Sequence, residues 1–255
     1  MRGLLLVLLC GCAMTTSGTP PPAGPTAPAG QSQAEPPPTP EEQAFANDYQ
    51  DAVARAERSD LAGAYDVLAR RGAALEAQNQ FGIAGICWNT ATWVKWAQGD
   101  LAGALAENAK LGQALTRAEP EARADLYLHY LWDRAYLLRD QADRAPAAEK
   151  AGALAQAEAA RAEYGRAATA AEADGLAVLE AYFAWRSRDT AAATAAARRV
   201  DLARDQDAQD LYIVALVLED AGDAKTAADL RARIEKAHYM MPPLLRHWAE
   251  TSSAR

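Results

Sequence analysis

The sequence predicts an all-α protein built as an array of about five antiparallel helix pairs. Three observations carry this expectation. Alanine supplies 64 of the 255 residues, and it forms helix better than any other residue while burying little surface. Aromatics are 7% of the chain and β-branched runs are absent, which disfavours a sheet. A short motif around an aspartate recurs at Asp60, Asp100, Asp140, Asp189 and Asp223, as a chain of repeated helical hairpins requires.

The chain divides into residues 1–11, 12–40, 41–250 and 251–255. The first stretch reads as a secretory signal, with Arg2 ahead of an unbroken apolar run from Leu4 to Leu9. That run is far shorter than the ~20 residues a membrane span needs. Leu9-Cys10-Gly11-Cys12 then resembles the lipobox of bacterial lipoproteins. The resemblance implies removal of residues 1–11 and a diacylglycerol on Cys12. With Ala13 following the cysteine, it also implies placement on the outer membrane, facing the periplasm. The alternative is an ordinary cleaved secretory signal. Residues Ala13 to Pro40 read as a linker, because nine of the thirteen prolines fall between Pro20 and Pro40. Its 28 residues reach up to about 85 Å at roughly 3.1 Å per residue. Residues 251–255 read as a disordered tail.

Thr39-Pro40-Glu41-Glu42 should open the folded region, with Thr39 capping, Pro40 at the first helical position and Glu42 closing a capping box. The recurring turns are Ser59-Asp60-Leu61, Gly99-Asp100-Leu101, Arg139-Asp140-Gln141, Arg188-Asp189-Thr190 and Gly222-Asp223-Ala224. Each aspartate can cap the following helix, and Gly99 and Gly222 can take the left-handed conformation that ends the preceding one. Eight residues before the aspartate stand Ala52, Thr92, Trp132, Ala181 and Ala215. Four after it stand Ala64, Ala104, Arg144, Ala193 and Ala227. Small residues at both places let two helices approach closely. Pro120, Pro146 and Pro242 should mark helix boundaries. The run from Pro146 to about Ala173 reads as one extended helix with a charged, solvated face, anchored by Tyr164.

These turns and small residues resemble the tetratricopeptide repeat, best over Trp88 to Leu111 and Leu211 to Ile234. The resemblance implies a right-handed superhelical array, an α-solenoid, whose leading helices line a concave groove; the alternative is an irregular helical bundle.

Composition and motifs bound the chemistry. A net charge of −8 and a pI near 5.0 argue against nucleic acid. Three cysteines and three scattered histidines give no disulfide scaffold and no metal centre. No dinucleotide fingerprint, nucleophile elbow or P-loop occurs. Asp205 to Asp210 superficially resembles a calcium loop but has Leu216 where the distal Glu belongs, so it reads as a polar loop ending in a capping Asp. His238 and His247 are separated by Pro242 and Pro243 and do not share a helical face. Cys87, between Ile86 and Trp88, reads as a buried inert thiol. The expectation is no enzyme, no cofactor and no metal.

A surface remains. Counted back from the turn aspartates, the groove-facing positions are Tyr49, Asn89, His129, Val178 and Tyr212 at eleven, then Val53, Trp93, Asp133, Tyr182 and Leu216 at seven. At four they are Ala56, Trp96, Tyr136, Trp185 and Glu219. Seven of the chain's eighteen aromatics fall on these fifteen positions, far above chance. Two readings stay open: anchors for a partner, or core between neighbouring hairpins. The partner-binding candidates are Tyr49, Asn89, Trp93, Trp96, His129, Asp133, Tyr136, Tyr182, Trp185 and Tyr212. A neutral-to-acidic ringed groove favours an apolar or basic peptide. The expected function is a membrane-tethered periplasmic adaptor holding a protein or peptide partner. The competing class is a lipoprotein that binds a small molecule or cell-wall fragment.

Overall fold

In the computed structural model, residues 39–203 and 208–236 are described. The signal, Cys12, linker residues 13–38, the interior of the Asp205–Asp210 loop, His238, His247, Pro242 and the 251–255 tail lie outside the described residues. Among the described residues there are ten α-helices, one 3-10 turn and no strand. The helices are α1 Pro40–Glu57, α2 Leu61–Ala77, α3 Phe81–Ala97, α4 Leu101–Arg117 and α5 Pro120–Arg144. They continue with α6 Ala147–Ala167, α7 Ala173–Arg186, α8 Thr190–Ala197, α9 Ala208–Asp220 and α10 Ala224–Lys236.

The start of α1 is the predicted capping box: Glu42 N donates to Thr39 Oγ1 at 3.2 Å, and Thr39 N donates to the Glu42 carboxylate at 2.7 Å. Four of the five predicted turns share one geometry. Ser59, Gly99, Arg188 and Gly222 take φ of 65°, 76°, 62° and 86°, and the next aspartate accepts a backbone N–H three residues on at 2.8–3.2 Å. Each of these aspartates donates its own N–H back to the carbonyl five residues earlier, at 2.9–3.0 Å. This closes the preceding helix with a left-handed cap. Asn79 (φ 61°) makes the same turn between α2 and α3, where Gln80 follows without capping.

The fifth predicted turn is overturned. Arg139-Asp140-Gln141 lies inside α5, which runs on to Arg144. No residue there takes a left-handed conformation, and the chain leaves the helix only at Ala145 (ψ 144°), where the following Pro146 disfavours helical backbone. The extended helix to Ala173 is also corrected. α6 ends at Ala167, and Thr169 and Glu172 form a second capping box over the 3-10 turn Ala170–Glu172. Tyr164 is buried as its anchor. Asp210 lies within the first turn of α9 rather than capping it.

Successive helices pack along the chain, and alternate leading helices also touch: α3 with α5, α5 with α7, α7 with α9. The small positions permit this. Ala52, Thr92, Ala181, Ala215, Ala64, Ala104, Ala193 and Ala227 are all 0–1% exposed. In the third pair Trp132 is half-buried and Arg144 exposed, and Ala142 and Ala157 are buried there. Gly72 shows how tight the fit is, because a Cβ on it would sit 2.8 Å from the Trp88 ring, whose Nε1 donates to Glu76 at 2.9 Å. Gly72→Ala is expected to cost about 1–3 kcal/mol by forcing that ring aside. A urea midpoint equal to that of the parent protein would refute the close approach.

Candidate functional site

The fifteen offset positions fall on one face of the leading helices, but most of their rings are buried. Trp96 and Tyr136 are 0% exposed and Tyr182 is 2%. Full burial makes these three core residues rather than an open strip. Tyr49, Trp185 and Asn89 are buried as well, and Asp133 completely. Trp93 and Tyr212 are half-buried, and His129 is exposed.

The rings of this face, buried or half-buried, tie one leading helix to the next. Tyr49 Oη lies 3.2 Å from Thr90 Oγ1, joining α1 to α3. Trp93 Nε1 donates to Asp133 at 2.8 Å and Trp96 Nε1 to Asp140 at 3.0 Å, joining α3 to α5. Tyr182 Oη donates to Asp140 at 2.6 Å, joining α7 to α5, and Trp185 Nε1 donates to Asp220 at 2.5 Å, joining α7 to α9. A buried indole or phenol needs a partner for its N–H or O–H, and in all but the first of these ties an aspartate on the neighbouring leading helix supplies it. Tyr136 fills the space between the ties, its ring centroid 4.2 Å from Trp132, 4.6 Å from Tyr182 and 6.1 Å from Trp96.

Asp140 is the hub, and the sequence reading, which assigned it as a helix cap, missed that role. Besides the two ring donors it accepts from Arg186 Nη1 at 2.8 Å. Arg186 also lies 2.5 Å from Asp143, which lies 3.3 Å from Arg139, and Arg139 donates to Ser187 Oγ at 3.1 Å. Two arginines and two aspartates balance in charge, which makes their burial tolerable. Burial and the neighbouring Asp140 hold the Tyr182 phenol well above its ordinary pKa, so it stays a donor. Burial pulls the Arg186 guanidinium down, but Tyr182, Asp140 and Asp143 outweigh it and leave its pKa raised. The signal for this hub was present in the sequence as acidic residues at Asp133 and Asp140 on the ring-bearing face of α5.

Asp133 differs, because no cation faces it. One oxygen accepts from Trp93, and the other is buried without a hydrogen-bond partner. Burial holds its carboxyl well above the usual carboxylate range, and the Trp93 bond offsets this only in part. The folded chain therefore keeps a proton that the unfolded chain releases. The contribution of this group to stability is whole below the unfolded pKa of about 3.9 and is lost as pH rises toward the folded value. Asp133→Asn keeps an acceptor for Trp93 and removes the titration. It should stabilise the protein at pH 8 by about 1–2 kcal/mol, with the gain shrinking toward pH 5. Parallel stability-versus-pH curves for the two proteins would contradict the buried neutral acid.

Outside this face are two open grooves of about 610 Å³ each. One lies among α6, α7 and α8, with Phe183, Ala184 and Ala196 on its floor and the pairs Glu158–Arg161 and Glu180–Arg199 at its rim. It exists because α8 is eight residues of alanine and threonine beside the 21 residues of α6. The other lies where α4 starts and α5 gives way to α6, bordered by Leu101, Arg144, Pro146 and Gly152. Neither groove contains an expected site residue. Cys87 is buried, and burial pushes its thiol up to about 12, which makes it a poor nucleophile. Among the described residues no cluster of three or more His, Cys, Asp or Glu side chains could hold a metal, and no helix is long and apolar enough to cross a membrane. Compared with known proteins, the chain matches no family model, no curated protein and no solved structure.

Proposed function

We propose that the chain is a membrane-tethered, tetratricopeptide-like adaptor of the bacterial envelope that holds a protein or peptide partner. In this reading Cys12 carries the lipid and residues 13–40 are the spacer. The helix pairs stack as a right-handed superhelical array, and the leading-helix face is the binding face. The observation that carries it is a hydrogen bond between a ring on one leading helix and a side chain on a neighbouring leading helix, present at each step from α1 to α9. Equivalent hairpins stacked in a fixed register produce such a ladder. Buried rings stiffen the face, and its accessible groups include half-buried Trp93 and Tyr212 and exposed His129 and Glu219.

Two measurements test the reading. Cys12→Ala should abolish the lipid-bearing mass and release the protein from the membrane fraction, whereas continued membrane retention would exclude the anchor. Trp93→Ala with Tyr212→Ala in the full chain should weaken capture of its envelope partner about tenfold or more. Undiminished capture would exclude this face.

A further inference from the structure

The third helix pair carries rings and charge on a side that the leading-helix face does not use. At about 100° per residue, Arg123, Tyr127, Tyr130 and Arg134 lie within about 60° of one another on α5. Their strip is turned about 120° from the side that holds His129, Asp133 and Tyr136. Tyr127 is 38% exposed, the one exposed large apolar side chain among the described residues. Its ring stacks on Tyr130, with centroids 6.2 Å apart, and its Oη donates to Glu163 on α6 at 3.3 Å. The Tyr130 ring lies against α4, where a Cβ on Gly112 would sit 2.9 Å from it, and its Oη accepts from Arg134 at 2.5 Å. The strip therefore runs between α4 and α6, both packed on α5. Its charge is one-sided. Arg123 and Arg134 are exposed, as is Arg166, one helical turn beyond Glu163 on α6. Arg123 donates to the carbonyls of Thr116 and Ala118, and Arg134 to a phenol, all neutral acceptors. Among the described residues no carboxylate lies within ion-pair distance of these three arginines. The acids Glu121, Asp133, Asp140 and Asp143 of α5 stand about 90° or more from the middle of the strip.

We propose that this strip is a second docking surface, and that its occupant is an acidic, extended segment of a protein partner. An arginine fork pairs with a carboxylate through two parallel hydrogen bonds. Tyrosine and arginine are also the residue types that anchor interfaces. From Arg123 to Arg134 is about 17 Å along the helix, the length of about five extended residues. The fitting segment thus carries two carboxylates about four residues apart, with an apolar side chain between them over the stacked rings. The net charge of −8 on the whole chain disfavours nucleic acid and anionic bilayers, whereas a short peptide meets the strip alone. This surface does not depend on the leading-helix face being a binding face.

The test uses the unlipidated chain from Cys12 onward and the peptide Glu-Ala-Phe-Ala-Glu, acetylated and amidated at its ends. Titration should shift the amide resonances from Arg123 to Arg134 saturably, with half the effect at about 1 mM peptide or below. Arg134→Glu with Arg166→Glu should weaken binding about tenfold or more, and Tyr127→Ala about threefold or more. Raising salt from about 0.05 to 0.5 M should weaken binding by the parent chain about threefold or more, a reading that needs no variant. Equal binding of the neutral Gln-Ala-Phe-Ala-Gln, binding indifferent to salt and to the double variant, or no shift at all would overturn the proposal. Phosphatidylglycerol vesicles bound by the parent chain but not by the double variant, without a response to the peptide, would overturn it in favour of a bilayer surface. Trp93→Ala with Tyr212→Ala should bind the peptide as the parent does, so that failure of the leading-helix face leaves this surface standing. Loss of peptide binding in that variant would place the peptide on the leading-helix face and overturn the second surface.

Discussion

Replacing Asp140 by alanine is expected to destabilise the protein by about 3–5 kcal/mol, because it strands a buried charge and its donors together. The carboxylate is 1% exposed and serves Trp96, Tyr182 and Arg186 on two other helices. Without it the indole and phenol of the first two lose their acceptor, and Arg186 keeps only Asp143 as a counter-charge. For a domain of this size the melting temperature should fall by roughly 10 °C. Asp140→Leu combined with Arg186→Met should recover part of the loss, since no unpaired charge then remains. Urea unfolding measures both. A single-variant loss under about 1 kcal/mol would place Asp140 at the surface.

The second large effect separates core rings from accessible ones. Trp96→Ala removes a ring that is 0% exposed and should cost about 3–5 kcal/mol. Trp96→Phe keeps most of the volume and removes the donor to Asp140, for about 1 kcal/mol. Trp93→Ala, three residues earlier on the same helix and half-buried, should cost about 1–2 kcal/mol. Thermal melts of the three variants check the ranking. Equal losses for Trp93→Ala and Trp96→Ala would mean that the two rings share one environment.

The contrast between Trp93 and Trp96 shows how far the sequence could be read. Their face followed from their offsets to Asp100, since helical periodicity alone decides which residues share a side. What lies opposite that face depends on the neighbouring pair, and the chain around Trp96 holds no trace of Asp140, 44 residues away. Turns were legible where chemistry is local: a left-handed residue and a capping aspartate occur together at Ser59, Gly99, Arg188 and Gly222. The same aspartate chemistry misled at Asp140, where the side chain accepts from rings instead of from its own backbone. Asn79 escaped because Gln80 cannot cap as an aspartate does. The end of α6 could have been found, because Thr169 and Glu172 have the spacing of the capping box recognised at Thr39 and Glu42.

A double-mutant cycle on Trp96→Phe and Tyr182→Phe tests most directly whether the leading helices are joined through shared buried acceptors. Trp96 stands on α3 and Tyr182 on α7, and both contact Asp140 and the Tyr136 ring. Unfolding free energies of the parent protein, the two single variants and the pair should give a coupling of about 0.5 kcal/mol or more. Strict additivity would contradict the ladder of ring donors on which the stack depends.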